Sequence, residues 1–126
     1  MKNKIKYPLV IVGAQWGDEG KGKVVDLLAK KADCVIRFNG GNNAGHSVVV
    51  NGEKFKLSLI PSGVMQGKKL LLSQGVVIDP KVLLDEISFF EKRGIRVDLM
   101  IDPRVHIVMP YHKALDAATE AWKGKK

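Results

Sequence analysis

Gly13-Ala14-Gln15-Trp16-Gly17-Asp18-Glu19-Gly20-Lys21-Gly22-Lys23 stands between an apolar run, Leu9 to Val12, and a stretch, Lys21 to Ala32, in which Val24, Val25, Leu27 and Leu28 recur at helical spacing. A short apolar run that ends in glycine predicts a strand buried on both faces. The spacing after the loop predicts a helix with one core-facing stripe. A strand, a glycine-rich turn and a helix in that order offer backbone N–H groups and the positive end of a helix dipole to an anion. Four glycines in the stretch let the backbone come close to a phosphate, and Lys21 and Lys23 add charge beside it.

The spacing Gly17-x4-Gly22-Lys23 follows the P-loop pattern until its last position, where Val24 replaces the usual Ser or Thr. In an ordinary P-loop that hydroxyl binds Mg²⁺. A metal at this loop therefore needs an oxygen from elsewhere, and Asp18, inside the loop, is the hard ligand at hand. An acid in an anion-binding loop repels the phosphate unless it bridges through a metal or removes a proton. The plainer alternative makes Asp18 and Glu19 ordinary acids at a helix start, where they are stabilised anyway. The density of glycine and lysine around them favours the phosphate site.

Outward from this loop, Cys34 to Phe38 reads as a second buried strand, followed by Arg37-Phe38-Asn39-Gly40-Gly41-Asn42-Asn43-Ala44-Gly45-His46. In a doubly wound sheet ligands bind beyond the carboxyl ends of strands, so both loops are expected to face one crevice. Asn43 offers an amide, Gly45 an unshielded carbonyl, and His46 an acid or donor near neutral pH. His106, in a strand-like run, and His112, at a helix start, have no such neighbours and are assigned no chemistry.

Ser47 to Ile60 breaks at Asn51-Gly52, a strong hairpin signal. Leu70 to Leu72 and Val76 to Ile78 read as two short strands. Asp79 can cap a helix that starts at Pro80 and leaves at Gly94, with Leu83, Leu84, Ile87 and Phe90 facing the core. Val97 to Ile101 and Val105 to Val108 read as strands. Tyr111 to Trp122 reads as a last helix packed through Ala114, Leu115, Ala118 and Trp122. Strands alternating with helices predict an α/β fold with a mostly parallel sheet, flanking helices and a small β-hairpin excursion. No repeat or linker divides residues 1–126, which read as one unit.

Composition narrows the function classes. At 126 residues, 45% hydrophobic and 27% charged, the chain suits a single globular domain rather than a disordered one. Its apolar runs fall far short of the roughly 20 residues that a membrane helix needs. Lys2, Lys4 and Lys6 precede an apolar stretch too short for a signal peptide, and the single Cys34 allows no intrachain disulfide. A soluble cytoplasmic protein is expected. The net charge of +8 favours phosphate-bearing ligands. Its lysines are spread along the chain, only Arg37, Arg93, Arg96 and Arg104 are arginine, and no aromatics interleave them, so no nucleic-acid partner is expected.

Together, Gly13 to Lys23 and Asn39 to Ser47 resemble the two signature loops of the adenylosuccinate synthetase family. The resemblance continues through Ile60-Pro61-Ser62-Gly63, Gly75-Val76-Val77, Gly94-Ile95 and Tyr111-His112-Lys113-Ala114-Leu115-Asp116, over almost the whole chain. It implies a GTP-dependent ligase of purine biosynthesis that joins IMP and L-aspartate into adenylosuccinate with Mg²⁺. By resemblance the 6-oxygen of IMP attacks the γ-phosphate of GTP, and the aspartate amine then displaces the phosphate so attached. Asp18 would be the base that removes the N1 proton, and a Mg²⁺ ligand together with the Gly45 carbonyl. His46 would steady charge on the phosphate. Gly17, Asp18, Glu19, Gly20, Lys21, Gly22, Lys23, His46 and Ser47 would bind GTP. Asp18, Glu19, Gly20, Lys21, Asn43, Ala44, Gly45 and His46 would line IMP.

Ala14, Asn42 and Ser47 depart mildly from the residues usual in the family. Family chains run well beyond Lys126, and this chain holds no Asn-Lys-x-Asp guanine motif. The expectation is therefore an N-terminal portion of a larger, homodimeric enzyme, inactive or nearly so alone. Two other classes remain open at this point: a purine-nucleotide-binding module without chemistry, disfavoured by Asp18 with His46, and a P-loop GTPase, disfavoured by Val24.

Overall fold

The computed structural model describes residues 6–17, 19–43, 45–50 and 52–124. In chain order, helix α1 spans Lys21–Ala29, strand β1 Cys34–Gly40, β2 His46–Val50, β3 Glu53–Leu57 and β4 Lys69–Ile78. Helix α2 spans Pro80–Glu91, β5 Leu99–Ile101, β6 His106–Ile107 and α3 Pro110–Lys123. A 3₁₀ turn at Val64–Gln66 precedes β4.

Every pairing of the main sheet passes through β4. It pairs in parallel with β1, with β5 near its start and with β6 at its end. The two short strands expected at 70–72 and 76–78 are thus one strand of 10 residues. The break suggested by Ser73-Gln74-Gly75 is instead a register shift in the β1 pairing between Arg37 and Asn39. A Cβ on Gly75 would lie 2.3 Å from the Phe38 carbonyl oxygen, so this irregularity admits only glycine. β2 and β3 form a separate antiparallel hairpin, as the Asn51-Gly52 signal predicts. Gly52 takes φ +83°, and Asn51 lies outside the described residues.

The core gathers alternate residues of β4 (Leu70, Leu72, Val76, Ile78), the segment Leu57, Leu59, Ile60 and Val64, and Leu83, Phe89 and Phe90 of α2. Helix α2 begins as expected. Asp79 accepts from the Lys81 N–H at 3.1 Å, Pro80 takes the first position, and Gly94 follows the helix at φ +73°. Its buried face differs from the predicted stripe. Leu84 is 64% exposed, while Glu86, at 2%, is buried with Phe89. The reason is polar: three backbone N–H groups draw the Glu86 carboxylate inward.

Four further expectations of burial are corrected, beginning with the stripe of α1, where Val24 and Leu27 are exposed and only Ala29 is buried. Leu9 to Val12 forms no strand, and Val10 is 69% exposed. An apolar run becomes a strand only where a neighbouring strand takes its N–H and C=O groups, and none of the described strands pairs with it. In β1, Ile36 and Phe38 remain exposed, so that strand is covered on one face. Helix α3 forms, but Leu115 and Trp122 of its apolar stripe are exposed and none of its residues is buried. A short ion pair from Lys113 to the capping Asp79 ties α3 to the start of α2. Among the described residues no helix is long and apolar enough to cross a membrane.

Candidate active site

Glycine geometry opens the loop and starts α1. Gly17 and Gly20 take φ +121° and +78°, and Gly20 caps the helix with its carbonyl accepting from the Lys23 N–H at 3.0 Å. Inside the loop the Glu19 carboxylate accepts from the Gln15 N–H at 3.1 Å and the Gly17 N–H at 3.2 Å, and it forms a short ion pair with Lys21. The Lys21 ammonium first, and backbone N–H groups after it, hold the Glu19 carboxyl at about 2. A cavity of about 530 Å³ opens beside them, lined by residues 11–15 with Glu19, Lys21 and Val24. Trp16 projects fully into solvent.

The second loop reaches this one through His46. A Cβ on Gly22 would lie 3.0 Å from His46 Cγ, so the imidazole packs directly on the first turn of α1. Position 22 is thus a glycine because the ring needs its space. His46 heads β2 opposite Leu57, with Ser47 next to it opposite Lys56. Gly45 passes close to β3, where a Cβ would come within 2.6 Å of the Leu57 carbonyl oxygen. Asn43 sits exposed in the turn before it. Lys23 is exposed on α1. Asp18 and Ala44 lie outside the described residues, so the structure brings together Gly17, Glu19, Gly20, Lys21, Gly22 and His46 of the expected set.

Sequence reasoning missed the frame that holds the second loop. The Arg37 guanidinium donates to the Ser58 carbonyl through a short contact, to Leu59 O at 3.3 Å and to Gly41 O at 2.7 Å. The same 58–60 segment gives its N–H groups to Glu86, with the Ile60 N–H 2.8 Å from the carboxylate. Ser62 Oγ lies 2.9 Å from His46 Nε2. An arginine three residues before the Gly40-Gly41 turn was the one available signal. Glu86, between 26 and 28 residues from its partners, left none.

Burial, and then the positive charge of Arg37, push the His46 pKa below its ordinary value, with Asp26 opposing. The ring is therefore neutral at neutral pH. The unfolded chain binds a proton at His46 more readily than the folded one, so stability rises with pH across this window. The contribution is complete above about pH 6.5 and is lost as pH falls through the folded value. Urea midpoints measured between about pH 8 and pH 5 are expected to show a slope that His46→Gln removes. An equal slope in both proteins would overturn the assignment.

The family model for adenylosuccinate synthetase matches residues 10–126. The chain belongs to the adenylosuccinate synthetase family. It is 59% identical over 113 residues to the adenylosuccinate synthetase of Fusobacterium nucleatum, covering 89% of this chain and 27% of that one. The synthetase of Acetivibrio thermocellus is 55% identical over 118 residues, covering 92% and 28%. Among solved structures, the fully ligated adenylosuccinate synthetase of Plasmodium falciparum superposes with a TM-score of 0.76 at 40% identity, covering 90% of this chain and 27% of that one. A cyanophage S-2L succinoaminodeoxyadenylate synthetase, bound to dGMP and to dATP as energy donor, gives a TM-score of 0.67 at 26% identity over 82% of this chain and 30% of its own. The chain thus spans between a quarter and a third of the synthetases it matches.

Proposed function

We propose that the chain carries the phosphate-handling part of an adenylosuccinate synthetase, which uses GTP to join IMP and L-aspartate in the cytoplasm, as a homodimer when complete. The observation that supports this best is the seating of His46 on Gly22, which joins the two signature loops at one place. In this reading residues 17–23 with His46 and Ser47 hold the GTP phosphates, and Glu19 must release the Gln15 and Gly17 N–H groups before a phosphate can take them. Asp18, Glu19, Gly20, Lys21 and residues 43–46 line IMP.

The base chemistry follows from IMP itself. Its 6-oxygen is a weak nucleophile until the N1 proton leaves, and a carboxylate at that edge, Asp18, can take it. The activated oxygen attacks the γ-phosphorus, and GDP departs. The aspartate amine then adds at C6 and phosphate leaves. His46, neutral and seated on the phosphate loop, donates a hydrogen bond to the transferring group.

Among the described residues no three His, Cys, Asp or Glu side chains converge on a metal site. Mg²⁺ nevertheless needs only one or two protein oxygens beside substrate phosphates and water. Asp18 and the Gly45 carbonyl fit that modest donor set. When bound, Mg²⁺ would neutralise charge on the phosphates.

A titration tests the reading on this chain. Trp16 is exposed within the loop and should report occupancy when IMP and Mg²⁺–GTP are added. A saturable fluorescence change that Trp16→Phe abolishes is the expected result. A folded chain with no change at millimolar nucleotide would overturn nucleotide binding by these loops alone.

A further inference from the structure

The stretch Ile60-Pro61-Ser62-Gly63 has no role in the chemistry above, although its residues are buried beside the site. Ser62 is 9% exposed, and its hydroxyl meets His46 at Nε2. The chain leading to it is fixed from two sides, by Glu86 on the N–H groups of Ser58, Leu59 and Ile60 and by Arg37 on carbonyls of Ser58 and Leu59. On its far side Gly63 turns at φ +125°, against Val35 and Ala29. The backbone that carries Ser62 is therefore held independently of the ring.

A neutral imidazole carries one N–H and one acceptor nitrogen, and the partner of one nitrogen selects the state of the other. With Nε2 engaged by Ser62, Nδ1 is the nitrogen that can address a ligand. An anion requires a donor there.

We propose that Ser62 is the positioning residue of His46: its hydroxyl donates to Nε2, selects the Nδ1–H form of the ring and leaves that N–H to meet a phosphate on the glycine-rich loop. Both the form of the ring and what its N–H meets rest on the nucleotide reading above, whereas the Ser62–His46 contact does not. No bond is made or broken in this role.

Long-range ¹H–¹⁵N correlation of the labelled chain near neutral pH distinguishes a protonated from an unprotonated ring nitrogen, with His106 and His112 as internal references. The wild-type His46 ring is expected to be protonated at Nδ1. Ser62→Ala should shift its tautomer ratio at least about fivefold toward Nε2–H, the worth of one hydrogen bond. Ser62→Thr, which keeps the hydroxyl, should return it. A wild-type ring protonated at Nε2 overturns the proposal, and it does so even if Ser62→Ala fails to fold. A Ser62→Ala ring identical to wild type overturns it as well. Mg²⁺–GTP added to the same sample should move the Nδ1 resonance. An Nδ1–H ring indifferent to the nucleotide would sink the nucleotide reading alone and leave the Ser62 bond standing.

Discussion

Glu86→Ala is expected to destabilise the chain by about 3–5 kcal/mol, the usual consequence of removing one member of a buried charged set. The carboxylate is 2% exposed and accepts from three consecutive N–H groups, of Ser58, Leu59 and Ile60. Truncation leaves these donors without an acceptor, each costing about 1–3 kcal/mol where water cannot reach. It also removes the nearby negative charge that offsets the burial of Arg37. Glu86→Gln retains an acceptor oxygen but turns an NH₂ toward a backbone donor, and should fall between the two. Urea midpoints at constant slope measure the difference. A Glu86→Ala chain within about 1 kcal/mol of wild type would overturn this account, because a solvated surface acid would behave that way.

Asp18→Asn, in a synthetase of full length that carries this sequence, is expected to lower turnover about 10²–10⁴-fold, the range attributed to a positioned general base. Asparagine keeps an oxygen that can accept from the N1–H of IMP but cannot remove the proton. Binding of IMP should therefore stay within about tenfold, the equivalent of one hydrogen bond at most. Turnover and an IMP titration on the same preparation separate the two effects. Retained turnover would remove Asp18 from the role of base, and a large loss of IMP affinity would make it a binding residue.

Legibility in the sequence followed the range of the interaction. Asp79 with Pro80 and the β2–β3 hairpin with Gly52 at its turn are local devices, and each stands where the sequence places it. Seating His46 against Gly22 is a longer contact; the sequence led only to the expectation that the two glycine-bounded loops share one crevice, and only the second of them follows a strand. Glu86 could not be found that way. Its position in α2 looks like the solvated side of an amphipathic helix, and only the folded turn at 58–60 supplies a reason to bury it. Leu9 to Val12 failed for the opposite reason: apolar content signals a strand, but pairing decides it, and the described strands leave that run unpaired. The stripe of α3 is a helical pattern that the fold leaves unburied.

In the proposed phosphate-binding role of the glycine-rich loop, the placement of Glu19 bears on which anions it would accept. Its carboxylate already sits on the Gln15 and Gly17 N–H groups and on the Lys21 ammonium. An incoming anion does not fill a bare cradle; it competes with a tethered rival at high effective concentration. Chloride, a free carboxylate or a single sulfate offers little beyond what Glu19 supplies and gains little by the exchange. A polyphosphate presents several oxygens and more charge at once, so it can win where a small anion cannot. The loop's selectivity is thus set partly by its own resident acid, as a threshold that weak binders do not cross.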